Sequence, residues 1–547
     1  MNRTITQGLT VASLTAALLF GTTSCMKDLD QEPKFGLNTA TIYSNPVLQK
    51  QVLAKLYGGL HLTGLKPSDD PDPEVRGADQ GATSYLRLLW KMEELTSDEA
   101  AVAWTDGSIQ ALNTSQWSSS NDFVQAMYDR IYFQIASTNE YIREMSDDKL
   151  SSRGITGGDL TNARYYRAEA RFLRALSYYH ALDMYGNVPF VTENDLPGKD
   201  LVPQQKSRAA LFSYVETELK DIEGLMTPAH AAEYGRADQA AVWTLLAKLY
   251  LNAKVYTGIE HNADVITYCD KILKAGYTLA PEYRLLFLAD NDVKAKNEII
   301  LPVVCDGTRS QSYGATTFLV HAASGGSLQP VAMGITNAWS GIRAKKNLPL
   351  SFGLSTAADA ANPADKRAIF FTTRQNLEMN SLIVFRDGWA VTKFKNLQSD
   401  GKPSPTADPT GTFADTDFPL FRLGDVYLMY AEAKMRMGQT TDPTALNYVN
   451  MLRRRGYGFD MNQPNAVSDV STLTEAFMLA ERGREMYWEA QRRTDLIRFG
   501  VYTSSTYLWP WKGNVQAGTG LEPYRTLFPL PVSDLSANPS LKQNDGY

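Results

Sequence analysis

Histidine, cysteine and long apolar runs are all scarce in this chain of 547 residues. Its five histidines include no pair at the spacing of a metal site, and no HExxH, G-x-S-x-G, P-loop or dinucleotide-binding motif occurs. These absences remove the common sequence signatures of metalloproteases, serine hydrolases, NTPases and oxidoreductases, and we expect no cofactor. A glycosidase needs only two carboxylates about 5–10 Å apart, which the sequence neither marks nor excludes.

An excess of positive charge is also missing. Asp and Glu number 60 against 54 Lys and Arg, which gives a net charge of −6 and a pI near 5.6. Because binding to a phosphate backbone requires a basic surface, we expect no nucleic-acid partner. Outside the N-terminus no segment approaches the roughly 18 uninterrupted apolar residues of a transmembrane helix. Apolar and aromatic contents of 44% and 11% are typical of a globular protein.

The N-terminus has the pattern of an export signal. Arg3 precedes the short apolar stretch 11–20, and small residues then lead to Cys25, which resembles a bacterial lipobox. We predict a lipoprotein signal peptide over residues 1–24 and acylation of Cys25, which anchors the chain in outer-membrane lipid. An ordinary signal peptide with a chance cysteine is the alternative. Residues 26–30 resemble the acidic export tag of Bacteroidetes surface lipoproteins, so the expected location is the cell surface.

Two further cysteines complete the chain's three. Cys269 lies in an apolar helical segment and is expected to be an inert buried thiol. Cys305 ends a strand-like run. A Cys269–Cys305 disulfide is an open alternative in an exported protein, although two cysteines do not make a disulfide framework.

Helical periodicity dominates the chain, and large apolar side chains recur opposite small ones, as expected for tetratricopeptide-like helix pairs. The pattern predicts helices over 46–62, 123–145, 161–185, 208–225, 238–253, 265–275, 418–437, 445–455 and 472–499. Short strands are predicted over 299–304, 316–320 and 381–385.

We therefore predict a mostly α fold: a tetratricopeptide-like scaffold of helical pairs with a large loop-rich insertion that contains short β-strands. Residues 25–547 are expected to form one domain. Its helical core spans about 46–275 and 418–500, the insertion about 276–417, and an irregular tail 501–547. Long irregular segments on a helical scaffold are where binding groups usually lie.

The segment 481–500 carries nine charged residues and is predicted to form one helix. Glu481 is expected to reach Arg484, and Glu489 to reach Arg492 and Arg493, at separations that place side chains on one helix face. Such a helix is either solvated or held in a partly buried ion-pair network.

Six segments, in order, resemble the SusD/RagB family of outer-membrane lipoproteins, and together they span essentially the whole mature chain. They are RAEARFLRALSYYHALDMYGNVPFVTE (167–193), GRADQAAVWTLLAKLYLNA (235–253), FPLFRLGDVYLMYAEAKMRMG (418–438), 453–456, 481–500 and LFPLPVSDLSANPSLKQNDGY (527–547).

The resemblance implies a non-catalytic surface lipoprotein that captures oligosaccharide or polysaccharide and acts as a lid on a SusC-like TonB-dependent transporter. One branch of the family binds peptides, so a peptide-binding lid is the first alternative. A surface glycoside hydrolase is the second, and it is supported only by acidic loops. Arg422 and Glu432 bracket an apolar helix and are expected to pair with the 481–500 segment.

Exposed aromatic rings beside polar loop residues are the pattern expected of a sugar site, because a sugar ring has apolar faces and polar edges. Trp104, followed by Asp106, resembles the family's ligand-contacting segments, although Trp104 can equally cap the core. Asp72 lies in an acidic loop that either accepts hydrogen bonds from sugar hydroxyls or is simply solvated. This loop does not match a calcium-binding EF-hand.

The remaining candidates lie in the predicted insertion. They are Cys305, Asp306, Arg309 and Tyr313 in a turn after a strand, Trp339 and Arg343 in a W-x-G-x-R segment, and Trp389 at the end of a turn. For Trp339, anchoring of the insertion is favoured over ligand contact. The aromatic segment YLWPWKG (507–513) is expected to pack against the scaffold.

Overall fold

The computed structural model describes residues 38–64, 75, 80–196, 198 and 202–547. The predicted signal peptide, Cys25 and Asp72 lie outside these residues. The structure is about 48% helical, which confirms the mostly α class. In the described part of the chain, no helix is both long and apolar enough to cross a membrane.

Helices follow one another along most of the chain, and many begin at a residue whose side chain caps the first turn. Asn121 and Asp238 each accept backbone N–H groups of the helix that follows. The helices are α1 Thr39–Tyr43, α2 Pro46–Gly58, α3 Tyr85–Trp90, α4 Gly107–Asn113, α5 Asp122–Glu144, α6 Asp147–Ser152, α7 Gly157–Met184, α8 Arg208–Glu223, α9 Gln239–Leu251, α10 Ala253–Thr257, α11 Asn262–Lys274, α12 Asn291–Lys294, α13 Ala315–Ala323, α14 Asn347–Ser351, α15 Ala357–Ala361, α16 Leu423–Arg436, α17 Pro443–Tyr457, α18 Glu475–Met486, α19 Arg492–Arg498 and α20 Val532–Ala537.

The main scaffold is a succession of packed helices. Helix α5 packs on α7, α7 on α8, α8 on α9, α9 on α11, α11 on α16, and α16 on α17 and α18. This nearest-neighbour stacking is the arrangement expected of a tetratricopeptide-like scaffold. Helix α7 ends at Met184, and Gly186 follows in the left-handed region with φ 72°, as the Gly-Asn-Val-Pro sequence predicts.

The strands are short and pair antiparallel in twos. They are β1 Ala100–Val102 with β5 Ile342–Ala344, β2 Val188–Pro189 with β3 Gln205–Lys206, β4 Ile299–Val303 with β8 Phe418–Arg422, and β6 Phe370–Phe371 with β7 Ala390–Val391. The β1–β5 pair joins residues about 240 positions apart, and it ties the insertion to the helical core close to Trp104.

Four secondary-structure predictions are wrong, three of them outside the segment 481–500. Residues 316–320 lie inside helix α13, and 381–385 form a turn. The helix predicted to begin at Phe418 begins at Leu423, because Phe418–Arg422 pairs with β4 as a strand.

The segment 481–500 is two helices, and the prediction of one helix is wrong. Helix α18 ends at Met486 and α19 begins at Arg492, and between them Trp488 and Ala490 adopt left-handed φ angles of 65° and 58°. The break redirects Glu489, which pairs with Lys393 and Arg422 instead of the predicted Arg492 and Arg493.

The charged residues of this segment lie in a buried ion-pair network. The predicted Glu481–Arg484 pair is present at 2.6 Å, and Glu481 also pairs with Arg367 and Arg453. Although burial opposes it, these guanidinium groups hold the pKa of Glu481 far below its usual range.

The network reaches α16 as predicted, because Arg422 contacts Glu485 at 2.7 Å, and Glu432 contacts Arg498 at 2.8 Å. Arg492 pairs with Asp98 at 2.8 Å, which links α19 to the segment before β1. The network therefore fixes how the last helices sit on the core.

Candidate functional site

Three loops that are distant in sequence, and a fourth segment that carries Phe413, bring their aromatic residues together at the surface. The ring centroids of Trp104 and Trp339 lie 6.5 Å apart, those of Tyr313 and Trp339 5.9 Å, and those of Tyr313 and Phe413 5.3 Å. All four side chains are half-buried, with one part packed and another open to solvent. We call Trp104, Tyr313, Trp339 and Phe413 the aromatic cluster. It unites the three loops that sequence analysis singled out separately.

Trp104 is held by the end of the β1–β5 ribbon. Its indole Nε1 donates to the carbonyl of Trp339 at 3.1 Å, and the amide of Gln110 donates to the carbonyl of Trp104 at 2.5 Å. Gly341 lies against the ring: a Cβ there would come within 2.7 Å of Trp104 Cζ2. A glycine is therefore needed for the indole to take this position.

Trp339 rests on a buried histidine. The rings of His321 and Trp339 are stacked, with centroids 4.8 Å apart and an interplanar angle of 28°, and Trp339 N donates to His321 O. The two ring nitrogens of His321 lie 2.9 Å from Asn337 O and 2.7 Å from Thr412 O. Burial lowers the pKa of His321 although the two carbonyl contacts raise it, and these contacts hold the ring flat beneath Trp339.

Arg87 lies beneath the cluster and was not among the residues selected from sequence. Its guanidinium carbon is 5.6 Å from the ring centroids of both Trp104 and Trp339, and Nη1 donates to Tyr313 O at 3.0 Å. One buried cation thus touches all three loops. The sequence did contain one signal for Arg87: it is an arginine within the apolar run Tyr85–Trp90, and a buried charge requires partners.

Polar residues border the cluster next to Phe413. Asp306 accepts hydrogen bonds from the backbone N–H and hydroxyl of Thr308, and its turn contacts the Phe413 carbonyl through Gly307. Arg309 is 88% exposed at its side chain and lies 3.7 Å from Asp306. Burial raises the pKa of Asp306, but the hydrogen bonds from Thr308 and Arg309 outweigh burial and lower it, so Asp306 stays ionised.

Asp106, two residues after Trp104, is exposed and caps helix α4. Its Oδ1 accepts the backbone N–H of Ile109 at 3.0 Å. One carboxylate oxygen therefore has a structural role, and the side chain still faces solvent close to Trp104.

Three residues selected from sequence have buried side chains in this structure, and their polar or apolar groups are occupied by protein contacts. Arg343 is 0% exposed and donates to the Asp387 carbonyl at 2.9 Å. Trp389 is 2% exposed and packs with Leu354 and Ala368. Cys305 is 5% exposed, and burial raises the pKa of its thiol to about 12. The groups that surround each of these side chains come from other segments of the chain, so the loop sequence alone did not reveal the burial.

The thiols and the second aromatic segment have structural roles. Cys269 and Cys305 are both free and buried, so they do not form a disulfide. Trp509 is buried and Trp511 donates to the Met379 carbonyl at 2.9 Å, which confirms that the YLWPWKG segment packs against the scaffold. Among the described residues no group of three or more His, Cys, Asp or Glu is arranged to hold a metal ion.

Family models match two parts of the chain. The model described as the SusD family matches residues 383–547, and the model described as "Starch-binding associating with outer membrane" matches residues 77–251. These stretches contain, respectively, the ion-pair network and the Trp104 loop.

Similar proteins cover nearly the whole chain. The starch-binding protein SusD of Bacteroides thetaiotaomicron is 35% identical over 98% of this chain and 98% of its own. The SusD-like protein P25 of Formosa agariphila is 23% identical over 96% of this chain and 97% of its own.

Solved structures share the fold. The surface glycan-binding protein A of Bacteroides fluxus has a TM-score of 0.67 at 18% identity and covers 92% of this chain and 100% of its own. A SusD homologue of B. thetaiotaomicron has a TM-score of 0.68 at 18% identity, with coverage of 93% and 98%.

Proposed function

This chain belongs to the SusD family, and from that premise and the geometry of the aromatic cluster we propose that it binds a glycan at the cell surface without chemical change. The observation that carries the proposal is the meeting of Trp104, Tyr313 and Trp339 at one solvent-facing place. Partly exposed aromatic rings offer apolar surface to the C–H faces of sugars, and the polar rim offers partners for hydroxyl groups.

The inclination of the rings favours a curved glycan chain. The rings of Trp104 and Trp339 are inclined by 49°, and those of Tyr313 and Trp339 by 71°. Rings inclined in this way suit a chain that turns as it proceeds, such as an α-1,4-linked glucan, better than a flat ribbon such as cellulose. The name of the starch-binding relative points to the same polymer, and we infer that α-glucan is the ligand class.

We further infer that the predicted insertion, 276–417, is the ligand-bearing part of a single domain. It supplies Tyr313, Trp339 and Phe413, while the core supplies Trp104 and Arg87. The β1–β5 ribbon joins the two contributions. On this interpretation the helical scaffold keeps loops from distant parts of the sequence in one fixed arrangement.

Location and partner complete the proposal. Acylated Cys25 anchors the chain in the outer membrane, and the bound glycan passes to a SusC-like TonB-dependent transporter on which this protein acts as a lid. One of the matching family models is described as associating with the outer membrane, and this description supports the location. Replacement of Cys25 by Ala should release the chain from the membrane fraction and abolish co-purification of a TonB-dependent transporter.

The rim chemistry favours binding over hydrolysis. A glycosidase requires one carboxylic acid with a raised pKa beside a second carboxylate. Asp306, at the border of the cluster, has a lowered pKa and is occupied by Thr308 and Arg309. Asp417, whose pKa is raised, is buried and does not reach a bound ligand. A peptide-binding lid of the same architecture is the remaining alternative, and tryptophan faces beside few charges favour sugar over peptide.

Isothermal titration calorimetry with maltoheptaose, cellohexaose and a casein digest tests the proposal, with reducing-end release assayed in parallel. We expect heat of binding with maltoheptaose, its loss in the Trp104→Ala/Trp339→Ala double variant, and its retention in Trp243→Ala, whose ring lies on helix α9 outside the cluster. Binding of peptides alone would support the peptide-binding lid, and release of new reducing ends would show an enzyme.

A further inference from the structure

A second surface feature lies next to the aromatic cluster, at the tip of the loop 376–388. Ile383 is 57% exposed, Arg386 is exposed, and Phe385 between them is half-buried. Exposed apolar side chains on a surface loop are costly unless they have a partner, and such groups often mark interaction sites.

The tip is held firmly by polar contacts within the loop. Asn376 N donates to Arg386 O at 2.8 Å, and Gly388 N donates back to Asn376 O at 3.0 Å. The Asp387 carboxylate accepts from the Asn376 amide at 2.8 Å and from Ser381 N at 2.9 Å. The backbone that carries Phe385 is therefore fixed, which lowers the entropy cost of contact with a ligand.

A buried cation joins this loop to the strand that follows Trp339. Arg343, on β5, donates from Nε to Asp387 O at 2.9 Å and from Nη2 to Ser381 O at 3.2 Å. Trp339 lies three residues before β5 begins, so the cluster and the loop are fixed to the same short strand. This is the positioning role of Arg343, whose side chain does not reach solvent.

Close backbone contacts bridge the gap between Trp339 and Phe385. A Cβ on Gly325 would lie 2.2 Å from the Ser340 hydroxyl, and a Cβ on Gly326 would lie 3.8 Å from the Phe385 ring. Between the two aromatic residues, Gly326 is exposed and Ser340 is half-buried, with Gly325 buried against Ser340. The surface there is small in side-chain volume, and a chain molecule can pass over it.

We propose that Phe385 and Arg386 form an additional subsite for glycan chains long enough to extend past Trp339 over Ser340 and Gly326. The Phe385 ring offers an apolar face to one further sugar, and the exposed Arg386 guanidinium donates to its hydroxyl groups. This inference rests on the proposed function, because the subsite has a use only if the aromatic cluster binds a glycan.

Dependence on ligand length distinguishes the subsite from the cluster itself. Affinities of the full chain for maltotriose and for maltodecaose are measured by calorimetry for wild type, Phe385→Ala, Arg386→Ala and Trp339→Ala. Phe459→Ala is the matched control, because Phe459 is an exposed phenylalanine at 37% in another part of the fold. We expect Phe385→Ala to weaken maltodecaose binding by about three- to tenfold and to leave maltotriose binding unchanged.

The other variants separate the possible failures. Trp339→Ala should weaken the binding of both ligands, and Phe459→Ala should weaken the binding of neither. Arg386→Ala leaves the Phe385 ring in place and should weaken maltodecaose binding as Phe385→Ala does. It keeps the test valid if Phe385→Ala does not fold. Equal affinities of wild type and both loop variants for maltodecaose would overturn the subsite, and loss of transporter co-purification instead would assign the tip to a protein contact. Absence of any glucan binding by wild type would overturn the proposed function itself.

Discussion

The indole Nε1 of Trp104 donates a hydrogen bond to the backbone carbonyl of Trp339, 235 positions further along the chain. The bond joins one binding loop from the helical core to another from the insertion. The edge of one indole is thereby fixed to the backbone of the other, so the angle of 49° between the rings is part of the folded structure. A ligand that fits this angle finds it already formed, which reduces the ordering cost of binding.

Replacement of Trp104 by Phe tests the role of this bond. Phenylalanine keeps an aromatic face but lacks the N–H, so the ring loses its fixed orientation. We expect Trp104→Phe to weaken α-glucan binding by about tenfold and Trp104→Ala by up to about a hundredfold. Trp243→Phe is the matched control, because it removes a similar indole bond, to Glu223 Oε1 at 2.8 Å, outside the cluster. A fall in melting temperature with unchanged affinity would instead show that Trp104 only caps the core.

Gly341 offers a test that leaves every aromatic side chain intact. A methyl group at this position would lie 2.7 Å from Cζ2 and 2.9 Å from Cε2 of Trp104, closer than real Cβ contacts allow. We expect Gly341→Ala to displace the indole and to reduce glycan affinity several-fold in calorimetry, with a small change in melting temperature. Gly158→Ala, where a Cβ would meet no atom within 4 Å, should change neither quantity. Full affinity in Gly341→Ala would mean that the position of Trp104 is not critical.

Removal of a charge from the buried ion-pair network should cost much more stability than removal of a charge from an exposed ion pair. Arg422 is 0% exposed and contacts Glu485 at 2.7 Å and Glu489 at 2.6 Å. Its replacement by Met leaves carboxylates buried with fewer partners, and we expect a loss of about 3–5 kcal/mol in the free energy of unfolding. Glu233→Gln, which removes the exposed Lys50–Glu233 pair, should cost less than about 1 kcal/mol.

A double variant checks that the loss comes from uncompensated charge. Addition of Glu489→Leu to Arg422→Met removes a carboxylate that has lost one of its two partners. Its other partner, Lys393, keeps its bond to the Tyr487 carbonyl and, because burial lowers its pKa to about 8, can lose its proton, so part of the stability should return. Urea denaturation followed by circular dichroism measures the unfolding free energy of wild type, Arg422→Met, Glu489→Leu and the double variant. Additive losses in the double variant would argue that packing, and not charge, determines the effect.

Sequence predicted the scaffold well because helices depend on local periodicity and caps. The 3.6-residue pattern and the Asn and Asp caps lie within each helix, so α5, α7 and α8 appear close to their predicted ends. The break between α18 and α19 was missed because residues 487–491 contain neither Gly nor Pro. There the tertiary pairing of Glu489 with Arg422 and Lys393 outweighs local helix propensity.

The site was predictable as separate fragments only. Trp104, Tyr313 and Trp339 each stood out as an aromatic residue in a polar loop, but nothing in the sequence states that the three loops meet. Arg343 shows the opposite error: a charged residue in a loop-like segment is expected at the surface, yet it is buried because the 381–387 backbone supplies its acceptors. Arg87 was missed because its partners come from other segments.

Asp417 links the binding region to pH. It is buried, its carboxylate accepts Cys305 N at 2.8 Å and the Tyr234 hydroxyl at 2.8 Å, and burial raises its pKa from 3.8 to about 7 against these hydrogen bonds. The folded state therefore holds a proton that the unfolded state releases above about pH 4. This contribution to stability is fully present below that pH and is lost as pH rises through about 7.

Asn at position 417 resembles the protonated acid and does not titrate, so the difference in unfolding free energy between wild type and Asp417→Asn isolates this group. We expect wild type to lose stability relative to the variant as pH rises from 4 to 8, by at most about 4 kcal/mol at 1.36 kcal/mol per pKa unit. Asp306→Asn is the control, because the pKa of Asp306 is lowered and not raised. The difference in unfolding free energy between wild type and Asp306→Asn should therefore stay flat above about pH 4. Urea titrations at several pH values measure both, and a pH-independent difference for Asp417→Asn would mean that Asp417 is ionised throughout this range.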